Sequence, residues 1–470
     1  MSQTDKKEIH CSSSHESNAI TWPILKQFMV EGATFFIDCF DVYVMGLFVL
    51  IISLVYYDGG MTQGTDILLK IATPVGCLIG QFLCDTFTHK ITQPVKNAGL
   101  MIVLASTLGQ ALCGLGDGVH LIAALFFWRV ALGIGFTMDN PFRGIYNSPL
   151  ASSATPKLVY KAIFVPIALG IVCGSAVSNT FSVAVKDLPS NRVAVLDYGW
   201  RIYQGLIFLP AAITLYFRMT ERKQVSDSEK VLPSNASDET RIPEPAAPIT
   251  WAESIAHFSK AGNLKILLGG MYTMLATNIV YWGINMNLGV IYTAVGFTDD
   301  STPLQTNFTI TRGVFFTSVC GLLPGYVITY FLVERIGRKN LQLIGFIGMT
   351  VLYCVLGFAF NQIKGTSDYL YIFLMALSNT FTTMTPNGSS IPQWAPLMTS
   401  TSSDPSPNGY YGAMGKLGYV VGQLIFILAK NIGGPGAFVP YLYQIFALLS
   451  LIAVGITVFL PNPQPFKKSN

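Results

Sequence analysis

Twelve times along the chain, apolar residues run on for long enough to cross the hydrocarbon of a bilayer, and this recurrence limits the fold more than any single motif. The runs begin near Phe28, Thr65, Gly99, Leu121, Leu158, Ile202, Ile266, Arg312, Leu341, Tyr369, Tyr410 and Phe438. Inside hydrocarbon every backbone N–H and C=O must find its partner within the protein, so runs of about 20 residues fold as helices. Of the 470 residues 51% are hydrophobic and only 11% are charged, against about 25% in a soluble domain. The expected class is therefore an all-α membrane protein of twelve transmembrane helices.

The net charge of +4 is spread along loops, without a basic run dense enough to follow a nucleic-acid backbone, so nucleic acid is excluded as a partner. Seven of the eight cysteines lie in or beside apolar runs with no close CxxC pair, and they read as reduced packing residues. The polar N-terminal stretch lacks the apolar core of a cleavable signal, so the first span is expected to direct insertion. No metal-ligand cluster or nucleophile–base pair appears, so neither a metal, a cofactor nor an enzyme is expected.

An even number of spans puts both termini on one side. Most loop Lys and Arg fall on that side, which the positive-inside rule makes cytoplasmic. The interval from Glu221 to Asn263 is rich in Ser, Pro and charge and cannot build a core. The predicted organisation is a tail (1–26), a six-helix half (27–218), a cytoplasmic linker (219–265), a second six-helix half (266–460) and a tail (461–470). Residues 252–263 are compatible with an amphipathic surface helix. The sequon at Asn307 falls in an external loop on this topology and is open to modification; the one at Asn235 falls in the linker.

Polar residues inside the spans carry the functional reading, because hydrocarbon penalises them unless they face protein or water. The uncharged stretch Leu267 to Ile291 places Asn278, Tyr281, Trp282 and Asn285 on one helix face, which reads either as the wall of a substrate cavity or as hydrogen-bonding glue between helices. Span 1 carries Asp38 and Asp41, candidates for a proton path. Span 4 carries Arg129, for which either aspartate is a natural partner, with Asp139 at its end and a Gly133-Ile134-Gly135 element suited to close packing. Span 10 contains Pro386-Asn387-Gly388, which breaks a helix where a transporter frees backbone groups for a substrate. In span 11, Lys416 is the one cation placed within the second half's helices, among Gly412, Gly415 and Gly418. It suggests an anionic substrate, a counter-ion across the cavity, or a side chain reaching for the interface.

Twelve spans divided by a central linker match the layout of the major facilitator superfamily. Within it the chain resembles the fungal and plant high-affinity phosphate:proton symporters. The resemblance is carried by GLLPGYVITYFLVERIGRKNLQLIGF (321–346), FFIDCFDVYV, WRVALGIGFTMDNP, NIVYWGINMN, TPN and GAMGKLG. It implies proton-handling roles for Asp38, Asp41 and Asp139 with Arg129 as their charge partner. It also implies substrate contacts from Asn278, Trp282, Asn387, Lys416 and Asn140.

The chain departs from that family where Asn278 replaces a helix-7 aspartate, Trp282 and Asn140 replace tyrosines, Ile167 a glutamine and Met101 a helix-3 glutamate. An amide or thioether cannot titrate in the physiological range. Of the charged loop motifs only Glu334 to Lys339 is intact. The resemblance therefore implies a monomeric plasma-membrane carrier of inorganic phosphate or a related organophosphate anion, working by alternating access with weakened or altered proton coupling. A non-transporting, receptor-like relative remains the alternative.

Overall fold

A computed structural model of the chain describes residues 22–57, 60–87, 93–113, 118–139, 156–188, 193–231, 251–298, 302–385 and 408–461. All regular structure among them is helical. The first helices are α1 (Trp22–Tyr56), α2 (Gln63–Phe87), α3 (Gln93–Ala111), α4 (Gly118–Met138) and α5 (Pro156–Val185). The sixth span is made of α6 (Val193–Gly205) and α7 (Phe208–Val231), and α8 (Trp251–Phe258) precedes the seventh, which is α9 (Ala261–Asn285) and α10 (Leu288–Val295). The eighth joins α11 (Pro303–Thr317) to α12 (Leu323–Ile336) through a π-helical turn, Ser318–Leu322. There follow α13 (Arg338–Phe358), the short α14 (Phe360–Thr366), α15 (Asp368–Thr382), α16 (Asn408–Ala429) and α17 (Val439–Phe459).

Ten helical stretches among the described residues are long and apolar enough to cross a membrane. The helix α3 and the shorter apolar stretch Tyr369–Thr382 of α15 take the third and tenth places, giving the twelve expected helices. Three sequence expectations change. Span 8 begins at Pro303 rather than near Arg312, because the polar first turns of α11 are covered by protein. Asn307 is then a 2% exposed helical residue whose amide donates to Ser182 Oγ at 3.1 Å, and not a loop site for a glycan. Arg312 also becomes a helical residue, so Lys416 is not the sole cation in the second half's helices. Beyond the apolar stretch that ends at Thr220, α7 continues as a helix through the charged stretch to Val231.

The helices form two packed groups. Residues from α1 to α7 share one core, around Phe48, Leu125, Leu132 and Trp200; residues from α9 to α17 share another, around Tyr292, Phe346, Tyr353 and Phe446. Glycine permits the closest crossings. A side chain at Gly133 would strike the Thr73 carbonyl of α2, and one at Gly422 the Ile279 carbonyl of α9. The groups meet along two seams, α2 against α16 and α5 against α11. Between the seams lies a third cluster with members from both groups: Phe35, Tyr43 and Ile167 from one, Tyr281, Leu322 and Tyr419 from the other.

Candidate functional site

On α1 the two aspartates diverge. Three residues along a helix is about 60° short of a full turn, enough to aim neighbours at different partners. Asp41 points into the first group, where its Oδ2 accepts from Arg129 Nη2 at 3.0 Å, with the two side chains 1% and 3% exposed. Arg129 Nη1 also donates to Gln110 Oε1 at 3.1 Å, which accepts from Gln204 Nε2 at 2.9 Å, and the guanidinium lies 5.4 Å from the Phe48 ring centre. Asp41 Oδ1, Arg129 Nε and Gln204 Oε1 are buried and make no hydrogen bond among the described residues. The charges cancel within this network, which is buried from solvent.

Asp38 faces the other way, and its Oδ2 lies 3.6 Å from Lys416 Nζ of α16. This ion pair joins the two helix groups. Its members are 31% and 35% exposed, so the pair borders open space inside the bundle rather than a packed core. The second group therefore answers Asp38, while Arg129 takes Asp41 alone of the two candidates. Lys416 is a counter-ion across the interface and does not reach for the surface.

The face of α9 toward this pair is aromatic. The Trp282 ring stacks on Tyr419 of α16, with centroids 4.6 Å apart and planes at 11°, and meets Tyr281 edge-on at 4.7 Å. Its indole N–H donates to Asn278 Oδ1 at 3.0 Å, and Asn278 Nδ2 donates to the Met274 carbonyl at 2.8 Å. Asn278 thus braces the tryptophan. Across the interface Tyr281 and Tyr43 of α1 share a 2.8 Å hydroxyl contact. Asn285 leaves this face altogether, since its side chain exchanges two 3.2 Å hydrogen bonds with Asn379 of α15 inside the second group. Such interhelical bonds contribute on average about 0.6 kcal/mol, so that position is glue and not cavity wall.

Asp139 sits apart, at the end of α4. It is ion-paired with Arg218 of α7 and accepts from the Thr34 hydroxyl of α1, while Arg218 also donates to the Val30 carbonyl at 3.4 Å. The pair ties three helices of one group together and does not border Asp38. Asn140 and Asn387 lie outside the described residues; α15 ends at Thr382, shortly before Pro386, as a proline break requires. Of the family departures, Ile167 is buried in the cluster between the groups, and Met101 is 53% exposed on α3. Lys339 donates to the Val458 carbonyl at 3.0 Å and to that of Leu460, so this residue of the intact loop motif caps α17.

Several polar residues were passed over in the sequence. Arg218 reads as a loop cation because it opens a charged run, Gln110 and Gln204 carry no motif, and Lys70 is a lone charge in ILLKIATPVG. Its isolation within an apolar run was the available signal. The π turn at Ser318–Leu322 was signalled by Pro324, which removes a backbone donor just after it.

The description "Sugar (and other) transporter" fits residues 27–469 as a family model. A repressible high-affinity phosphate permease of Neurospora crassa is 27% identical, over 94% of this chain and 85% of its own. An inorganic phosphate transporter of Saccharomyces cerevisiae is 25% identical, over 96% of this chain and 84% of its own. In fold the chain is similar to the xylose transporter XylE of E. coli in a partially occluded inward-open conformation, with a TM-score of 0.66 and 17% identity over 93% of this chain and 99% of that one. The interfacial ion pair and aromatic cluster thus lie where two helix groups of a major facilitator fold meet, and the chain belongs to the sugar (and other) transporter family.

Proposed function

We propose that the chain carries inorganic phosphate, or a related organophosphate anion, across the membrane by alternating access, together with a proton. The Asp38–Lys416 pair is the observation that carries this reading, with the relatives named as phosphate transporters as support. A partly exposed lysine is a point charge suited to a phosphate oxygen, but here a carboxylate occupies it. A proton on Asp38 removes that carboxylate's charge and leaves the ammonium for the anion. Proton and anion then bind together, because each displaces the other's competitor. Trp282 and Tyr419 wall the site, and Asn278 holds the indole in place.

In this reading Asp38 is the coupling group, while Asp41 and Asp139 are structural, their charges spent on Arg129 and Arg218. The amide at Asn278 supplies no second titrating group, which supports coupling altered from that of the phosphate:proton symporters the sequence resembles. We place the protein as a monomer in the plasma membrane with both termini in the cytoplasm.

The test is uptake of labelled phosphate into liposomes, with and without an inward proton gradient, for the native chain and for Asn278→Asp. Gradient-stimulated uptake by the native chain is the expected result. Flux only in the aspartate variant would mean that Asp38 alone does not suffice, and no flux in either would remove phosphate as the substrate.

A further inference from the structure

One buried cation takes no part in the site above. Lys70 of α2 is 9% exposed, and its Nζ lies 2.9 Å from Asp66 Oδ1 one turn away and 3.2 Å from Asn287 Oδ1 of the other helix group. Asn287 occupies the interruption between α9 and α10, with φ −119 and ψ 17, and is 1% exposed. Its amide nitrogen donates to the Gly283 carbonyl at 2.9 Å and to Gln423 Oε1 of α16 at 3.1 Å. Gln423 in turn donates through Nε2 to the backbone carbonyl of Trp282 at 2.6 Å. A line of hydrogen bonds therefore runs from a lysine of one group to the tryptophan of the other.

The amide orientations in this line are fixed by chemistry. Turning Asn287 over would set its NH₂ against the ammonium, and turning Gln423 over would set its oxygen against the Trp282 carbonyl. Lys70 to Asn287 is the link in the line that crosses between the groups, at the end of the bundle opposite the termini. A looser contact, Lys430 Nζ to Asp66 Oδ2 at 3.9 Å, crosses the same seam.

We propose that Lys70 is a positioning residue for Trp282. By holding Asn287 it fixes the break in the seventh span, and through Gln423 it holds the Trp282 backbone carbonyl, the point from which the indole projects. When α2 and α16 part at this end, the Lys70–Asn287 bond must break together with the Gln63 amide to the Ile427 carbonyl and Lys430 to Asp66, and the Trp282 backbone loses this support at that moment. Opening at the mouth is thereby transmitted to the site wall. The inference rests on the reading that Trp282 lines the substrate site. A lysine neutralised only by Asp66 would instead leave the tryptophan indifferent to its removal.

The experiment uses the full chain labelled with 5-fluorotryptophan in lipid nanodiscs, the Trp282 fluorine resonance being identified by its loss in Trp282→Phe. Lys70→Met is expected to shift or split that line while leaving the Trp200 line in place, and Lys70→Arg to keep the native line. Asn287→Ala reads the same line should Lys70→Met fail to insert, and the two together are expected to change it no further than either alone. In liposomes the phosphate concentration for half-maximal uptake is expected to rise at least about five-fold in Lys70→Met and less than about two-fold in Lys70→Arg. An unmoved Trp282 line in Lys70→Met, or additive effects in the double variant, overturns the proposal. Absence of phosphate flux in the native chain would count against the phosphate reading, and the fluorine spectra would still decide the role of Lys70.

Discussion

Asp38 and Asp41 stand three residues apart on one helix and meet different fates. Asp41 and Arg129 are sealed together, so removing one leaves the other buried and unpaired, at a cost of about 3–5 kcal/mol. Arg129→Met is expected to lower the unfolding temperature in detergent by many degrees, and Arg129→Met with Asp41→Asn to recover most of the loss; thermal unfolding of the three proteins checks this. Asp38 is under no such obligation, being partly exposed. Asp38→Asn is expected to fold normally, to keep phosphate binding and to lose gradient-driven accumulation. Titration calorimetry beside uptake separates binding from coupling. The sequence made Arg129's need for a carboxylate legible, because an intramembrane cation demands one. It could not reveal that Asp38 answers Lys416, a partner far along the chain whose proximity depends on how the two groups dock. Asn285 follows the second of the two readings open to its face, a choice the sequence could not make because helical periodicity assigns a face but does not name the neighbour that the face meets.

Among the elements, α9 and α16 carry the site, and their spacing is set by glycine. At Gly418 and Gly422 an added side chain would meet the carbonyls of Leu275 and Ile279, which are backbone and cannot rotate away. Gly422→Val is expected to cost about 1–3 kcal/mol or more through overpacking. It should also part Trp282 from Tyr419, so a fall in unfolding temperature accompanied by loss of uptake is the expected pair of results. The apolar runs made most elements legible, because spanning length is a demand of the solvent and not of any partner. Span 8 was placed late because the first turns of α11 are polar, as residues facing another helix are free to be. The interruption of the seventh span at Asn287 left no mark that length or hydropathy could register.

For the whole molecule, the end opposite the termini is where the two groups hold each other, through Lys70 to Asn287 and Ser182 to Asn307. Alternating access requires this end to open. With native cysteines replaced, cysteines at Ser182 and Asn307 joined by a short bis-thiol reagent are expected to abolish uptake, and a cleavable version of the reagent to restore it on reduction. Full uptake by the cross-linked protein would show that this seam does not part during transport. The interfacial ion pair carries one more consequence. Asp38 and Lys416 sum to zero charge, and Asn278 adds none, so the empty site presents nothing for a transmembrane voltage to pull on as the protein reorients. A monovalent phosphate arriving with one proton keeps the sum at zero. On the proposed co-transport of one proton the site itself moves no net charge, so a membrane potential imposed on the liposomes is expected to leave the uptake rate unchanged.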